Sequence, residues 1–80
     1  MQKKDFFDLY FLLERFSLAE LLKQFTKTLP HIDTFHIVKS LTFFDDAEGE
    51  VNPKMLIKVN WQTVKKTIEK KVESYLKQNI

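Results

Sequence analysis

The sequence predicts an all-α fold, a small four-helix bundle-like domain with an irregular arm before its last helix. Apolar residues recur at helical period in four separate segments. Helix-starting residues (Ser17, Asp33 and Asn60) stand just ahead of the last three of them. The chain also holds only one Gly and two Pro in 80 residues, so breakers are scarce and confined to the joints.

The first helix is expected over about 4–16. On a 3.6-residue wheel Phe6, Phe7, Leu9, Tyr10, Phe11, Leu12, Leu13 and Phe16 cover most of the circumference. Only Lys4, Asp8 and Arg15 make a polar stripe, with Glu14 standing apart. A helix apolar almost all round is normally interior, which is hard to arrange in a chain this short. Phe6, Phe7, Tyr10 and Phe11 therefore read as an interface. A homodimer with this helix near a two-fold axis is the simplest closed way to cover it.

The second helix is expected over 18–29. Ser17-Leu18-Ala19-Glu20 has the spacing of a capping box, and Leu18, Leu21, Leu22, Phe25 and Leu29 form one buried face. Pro30 stops it by pushing residue 29 out of the helical region and removing a donor.

The third segment, 33–44, is the ambiguous one. Asp33 can cap a helix that buries Ile37, Val38, Leu41 and Phe44, yet residues 36–43 have enough β-branched and aromatic character for a strand. Its length and the lack of a partner strand favour helix. Periodicity then lapses, although Asp45 and Glu48 repeat the capping-box spacing and would open a short helical turn. Gly49 and Pro53 mark an irregular arm over 49–59, pinned to the core by Met55, Leu56, Ile57 and Val59. Asn60 can cap the last helix, about 61–77, whose apolar stripe is Trp61, Val64, Ile68, Val72, Tyr75 and Leu76.

The absence of Cys rules out a disulfide framework or a thiolate metal site. A net charge of +2 is too small to imply nucleic-acid binding from composition alone. Residues 1–13 superficially resemble a signal peptide, but Asp5 and Asp8 interrupt the apolar run and no small-residue cleavage site follows. With no apolar run long enough to span a bilayer, no membrane association is expected and a cytoplasmic location is the default.

Candidate chemistry is sparse. Asp5 and Asp8 are three apart and share a helix flank beside Lys4, a spacing equally suited to complementing a helix dipole. Asp45, Asp46, Glu48 and Glu50 crowd six residues without the alternating ligands of a calcium loop. His31 and His36, five apart, do not share a helical face, so no metal site is expected. Lys66, Lys70 and Lys77 line one side of the last helix and offer an RNA or phosphate contact. Glu69 and Glu73 beside them make a solvated mixed face the simpler account. No nucleophile and base of the Ser-His-Asp or Cys-His kind can be paired.

One resemblance goes further. Lys3-Lys4-Asp5-Phe6-Phe7-Asp8-Leu9-Tyr10 resembles the last of four active-site motifs in the AbiEii/AbiGii-type nucleotidyltransferase-like toxins of abortive-infection toxin–antitoxin systems. Lys39-Ser40-Leu41-Thr42-Phe43-Phe44-Asp45-Asp46-Ala47-Glu48, then Pro53-Lys54-Met55-Leu56 and Trp61, resemble the tail of the same family. Together these stretches span nearly the whole chain. The resemblance implies that Lys4, Asp5 and Asp8 belong to a nucleotide and metal pocket, and that RNA ends are among the substrates. Nucleotidyl transfer also needs a Gly-rich loop for the triphosphate and an Asp-x-Asp pair for the metal ions. The chain has neither, its one Gly being Gly49. It thus looks like the C-terminal module of such a toxin without the catalytic part, with no cofactor of its own. Mg and a nucleoside triphosphate would enter only with a separately encoded catalytic domain. The expected function is that of a non-catalytic module packing on itself or on a partner. The alternatives are a split or truncated nucleotidyltransferase completed in an assembly, and a structural remnant with no ligand.

Overall fold

The computed structural model describes residues 2–53 and 59–78. The order of elements is α1 (Lys3–Arg15), α2 (Leu18–Thr28), α3 (Thr34–Leu41), a short turn of helix α4 (Asp45–Glu48) and α5 (Trp61–Gln78). Among the described residues there is no strand, and the chain is all-α. Residues 49–53 are irregular, as expected for the arm; the expected anchors Met55, Leu56 and Ile57 lie outside the described residues, whereas Val59 packs against the core.

Each start is set by local chemistry. At α1 the Asp5 carboxylate accepts from the Gln2 amide at 3.0 Å, satisfying a donor that the helix cannot. At α2 the Ser17 hydroxyl accepts from the Glu20 amide at 3.2 Å and donates to the Glu20 carboxylate at 3.1 Å. The Asp33 carboxylate accepts from the Phe35 amide at 3.1 Å, and the Asn60 side chain accepts from the Gln62 amide at 2.7 Å. The α2 helix ends at Thr28, with Leu29 as its cap directly before Pro30.

Two expectations at α3 and α4 need correction. The third helix closes at Leu41, not Phe44: the Thr42 amide turns back onto the Lys39 and Ser40 carbonyls, and the Phe43 amide onto Ser40. Phe44 still enters the core, because it sits at the corner where its carbonyl accepts from the Ala47 and Glu48 amides and starts α4. That turn is present as the sequence suggested, but no side chain caps it. The Glu48 carboxylate instead pairs with Lys65 of α5 at 2.8 Å.

The core runs along α5. Val64 and Ile68 are fully enclosed, and Trp61 and Val72 extend the stripe in both directions. The first helix packs most extensively on α5, with α2 and α3 completing the cover. At one end four rings interlock: Phe6 meets Phe44 edge-on at 5.0 Å and Trp61 at 5.8 Å, while Phe7 stacks on Trp61 at 5.8 Å. Aromatic pairs at these separations add a directional term to the area they bury.

That cluster corrects the interface assignment. Phe6 and Phe7 are 0% and 2% exposed within one chain. The corner at Phe44 and Trp61 of α5 cover that wheel sector expected to be bare, and of the four residues Tyr10 and Phe11 alone stay half-buried.

Lys3 is part of the same closure. It is 5% exposed, and its ammonium donates to the Glu50 carbonyl at 2.8 Å and the Asn52 side chain at 3.1 Å, 4.9 Å from the centre of the Trp61 ring. Its amide donates to the Glu50 carboxylate at 2.9 Å. Buried charge is tolerated when it is hydrogen-bonded, and here two acceptors and the face of the Trp61 ring receive the ammonium. Lys65 flanks the same indole at 5.6 Å. Its bridge holds the Glu48 carboxyl below the ordinary range, against some opposing desolvation, with smaller help from the Trp61 indole and the charge of Lys3. The Trp61 indole nitrogen is buried with no partner in hydrogen-bonding geometry among the described residues.

Candidate functional site

The opposite flank of α1 is open. Leu9, Ile37 and Leu41 are buried, whereas Leu12, Leu29 and Ile32 are 40%, 38% and 36% exposed, and all six line one groove of about 550 Å³. Buried residues make its floor and exposed ones its rim, with Phe25 completing the apolar lining. The α1, α2 and α3 helices each spend one stripe on α5, so their neighbouring edges meet around a gap that no other described element fills. A cleft of this size with apolar walls and few polar groups fits the general form of a binding site.

Its polar lining comes from four residues. Asp5, half-buried, and Asp8, exposed, stand one turn apart on α1; His36 and Ser40, both exposed, stand one turn apart on α3. Among the described residues no Lys or Arg lines the groove. Although Ser, His and Asp meet here, they do not form a nucleophilic relay: the Ser40 hydroxyl donates to the Ile37 carbonyl of its own helix at 2.7 Å. The Asp5 carboxylate is in turn occupied by the Gln2 amide.

The structure thus brings together two of the three residues of the Lys4, Asp5 and Asp8 box. Lys4 is exposed and does not line the groove. Tyr10 and Phe11 pack edge-to-face at 5.3 Å away from it. Burial first, then the hydrogen bond and charge of Glu14, push the Tyr10 phenol above its usual pKa. Lys66, Lys70 and Lys77 are all exposed on α5, and Lys77 pairs with Glu73 at 3.1 Å, one turn back. With five lysines against two glutamates α5 is net positive by three, but its acids are interleaved and the face is mixed. Among the described residues no three His, Asp or Glu converge as a metal site. Nor, among them, is any helix long and apolar enough to cross a membrane.

Sequence reasoning missed Leu12, Leu29, Ile32, His36 and Ser40 as partners in one groove. The signal was present only in part: Asp5, Asp8 and Leu12 recur at helical spacing along one edge of α1, and His36 and Ser40 along one edge of α3. Nothing local says that these edges face each other. Lys3 was also missed, since a lysine in a first turn ordinarily reaches into water.

Comparison with known proteins adds one relative. The chain is similar to an uncharacterised protein of Aquifex aeolicus (strain VF5), 42% identical over 76 residues, covering 92% of this chain and 36% of the relative. The chain therefore spans about a third of the length of the curated relative it matches. No family model matches the chain, and no solved structure matches it.

Proposed function

We propose that this chain is a non-catalytic helical packing module, similar to the C-terminal region of a nucleotidyltransferase-like toxin, that works by association with a copy of itself or with a separately encoded catalytic domain. The observation that carries this is the groove: Leu12, Leu29 and Ile32 leave apolar surface in water beside a cavity of about 550 Å³. Soluble chains seldom keep a continuous apolar patch that has no use. The relative's greater length supports the same reading, since the equivalent stretch there is joined to further polypeptide. Sedimentation velocity of the chain alone, and mixed with a catalytic domain of the family, tests it. Self-association or a stable one-to-one complex is the expected result; a monomer at high concentration that ignores the catalytic domain would sink the proposal.

A second reading has its own observation. Asp5 and Asp8 both line the groove, as carboxylates would if they completed a metal and nucleotide pocket on a partner's surface. On this reading the chain is one half of a split nucleotidyltransferase, with Mg and the triphosphate held mainly by the other half. Reconstituted with a catalytic domain, it would transfer labelled nucleotide to RNA, and Asp8→Ala would abolish transfer without disturbing the cap that Asp5 provides. Transfer that persists in Asp8→Ala restricts the chain to packing.

A further inference from the structure

The groove has a chemical polarity that narrows what can fill it. Asp5 and Asp8 put two carboxylates on one rim, about 4.5 Å apart along the helix axis. Among the described residues the only other ionisable group in the lining is His36, on the opposite wall. The groove is therefore acidic at one edge in a chain whose net charge is +2, so its preference is opposite in sign to that of the molecule.

We infer that the groove receives an amphipathic helix of a partner polypeptide, its apolar residues at i, i+3, i+4 and i+7 seated on Leu9, Ile37 and Leu41 and a flanking Lys or Arg set against Asp5 and Asp8. The inference rests on the reading of the chain as a packing module and names the partner's chemistry. A helix fits because the walls are helices, whose side-chain ridges accept those of another helix. An extended peptide bound by strand addition would need an unpaired strand edge, and the described residues contain no strand. A second copy pairing groove to groove about a two-fold axis is disfavoured by sign, since it would bring two Asp5 and Asp8 pairs toward each other. The source of the helix is polypeptide equivalent to the part of the Aquifex relative beyond the matched 36%.

Synthetic peptides of helical length, tiled across that part of the relative, supply the probe, with binding to this chain read by fluorescence anisotropy. The expected result is a peptide with the stated apolar spacing and a flanking Lys or Arg. Asp5→Asn combined with Asp8→Asn should weaken it about three- to tenfold, as should Glu in place of the peptide's basic residue. Asn keeps a side-chain acceptor at the start of α1, so the variant remains folded, which circular dichroism verifies. Binding that is indifferent to both charge changes overturns the inference, and so does the absence of any bound peptide. If no peptide binds while the chain still associates in sedimentation, the groove inference fails and the packing module stands; if neither occurs, both fall.

Discussion

The two flanks of α1 begin with the same kind of sequence and end differently. On one, Phe6 and Phe7 are locked among Phe44, Trp61 and the Lys3 contacts with the arm; on the other, Leu9 lies under a groove whose rim, Leu12, remains 40% exposed. The first flank is closed by residues more than thirty positions away, the corner at Phe44 and the start of α5. Among the described residues the second has only α2 and α3, both already committed to α5. Apolar content alone therefore does not decide which surface is an interface: what decides is whether the rest of the chain has an element left to cover it.

That contrast breaks most sharply at Phe6. Truncating Phe6→Ala removes a ring that touches Phe44 and Trp61, and its expected cost is about 3–5 kcal/mol. In a chain this small that is a large part of the whole stability, so urea or thermal melts should show a mostly unfolded variant. A loss below about 1 kcal/mol would mean that the aromatic end is not the centre of the fold.

The next effect belongs to Lys3. In Lys3→Ala the Glu50 carbonyl and Asn52 side chain lose their ammonium donor, and a loss of about 1–3 kcal/mol is expected. Hydrogen exchange should quicken in residues 49–53 before it does in α2. Equal acceleration throughout the chain would show that Lys3 supports the whole core and not the arm in particular.

On the open flank the expected stability change is the reverse in size. Leu12→Gln or Ile32→Gln replaces a rim residue that water already reaches, and should shift stability by no more than about 0.5 kcal/mol while lowering partner binding. If either variant melts like Phe6→Ala, the groove is part of the core and the comparison collapses.

The smallest effect is a slope. Because the folded Glu48 carboxyl lies below its unfolded value, its contribution is fully present above about pH 4.3 and is lost as pH falls from there through the folded value. Glu48→Gln should flatten the acid limb of a stability-versus-pH curve. An unchanged limb would show that the Lys65 bridge is too solvated to matter.

Much of the fold was legible because it is local. The Ser17 and Glu20 pair, Asp33, Asn60 and Pro30 act within a few residues, and the structure uses each where the sequence places it. Apolar stripes also identified the buried residues of α2 and α5, but overran them at the C-terminal ends, where Leu29 and Leu76 are each 38% exposed. What escaped was relational. The wheel of α1 shows apolar residues on nearly every side but not which side later elements return to, so Phe6 and Phe7 read as an interface that Phe44 and Trp61 pre-empt. The groove escaped for the same reason: its walls come from Asp5 to Leu41, and no periodicity within one helix reports the facing edge of another. Lys3 was illegible because its partners, Glu50 and Asn52, lie in the segment with the weakest pattern.

Chain order adds a temporal consequence to the closed flank. The aromatic residues of α1 come at the start, whereas Trp61, on which both Phe6 and Phe7 rest, arrives 54 residues after Phe7. At roughly 5–20 residues per second of synthesis, the ribosome takes about 3–11 s to bridge that interval. For those seconds the nascent chain carries its most aromatic helix without the element that will cover it, and α2, with its own cap and stop, is the nearest shelter. Aggregation during synthesis, more than instability of the finished fold, is then the hazard that Phe6 and Phe7 impose on this sequence.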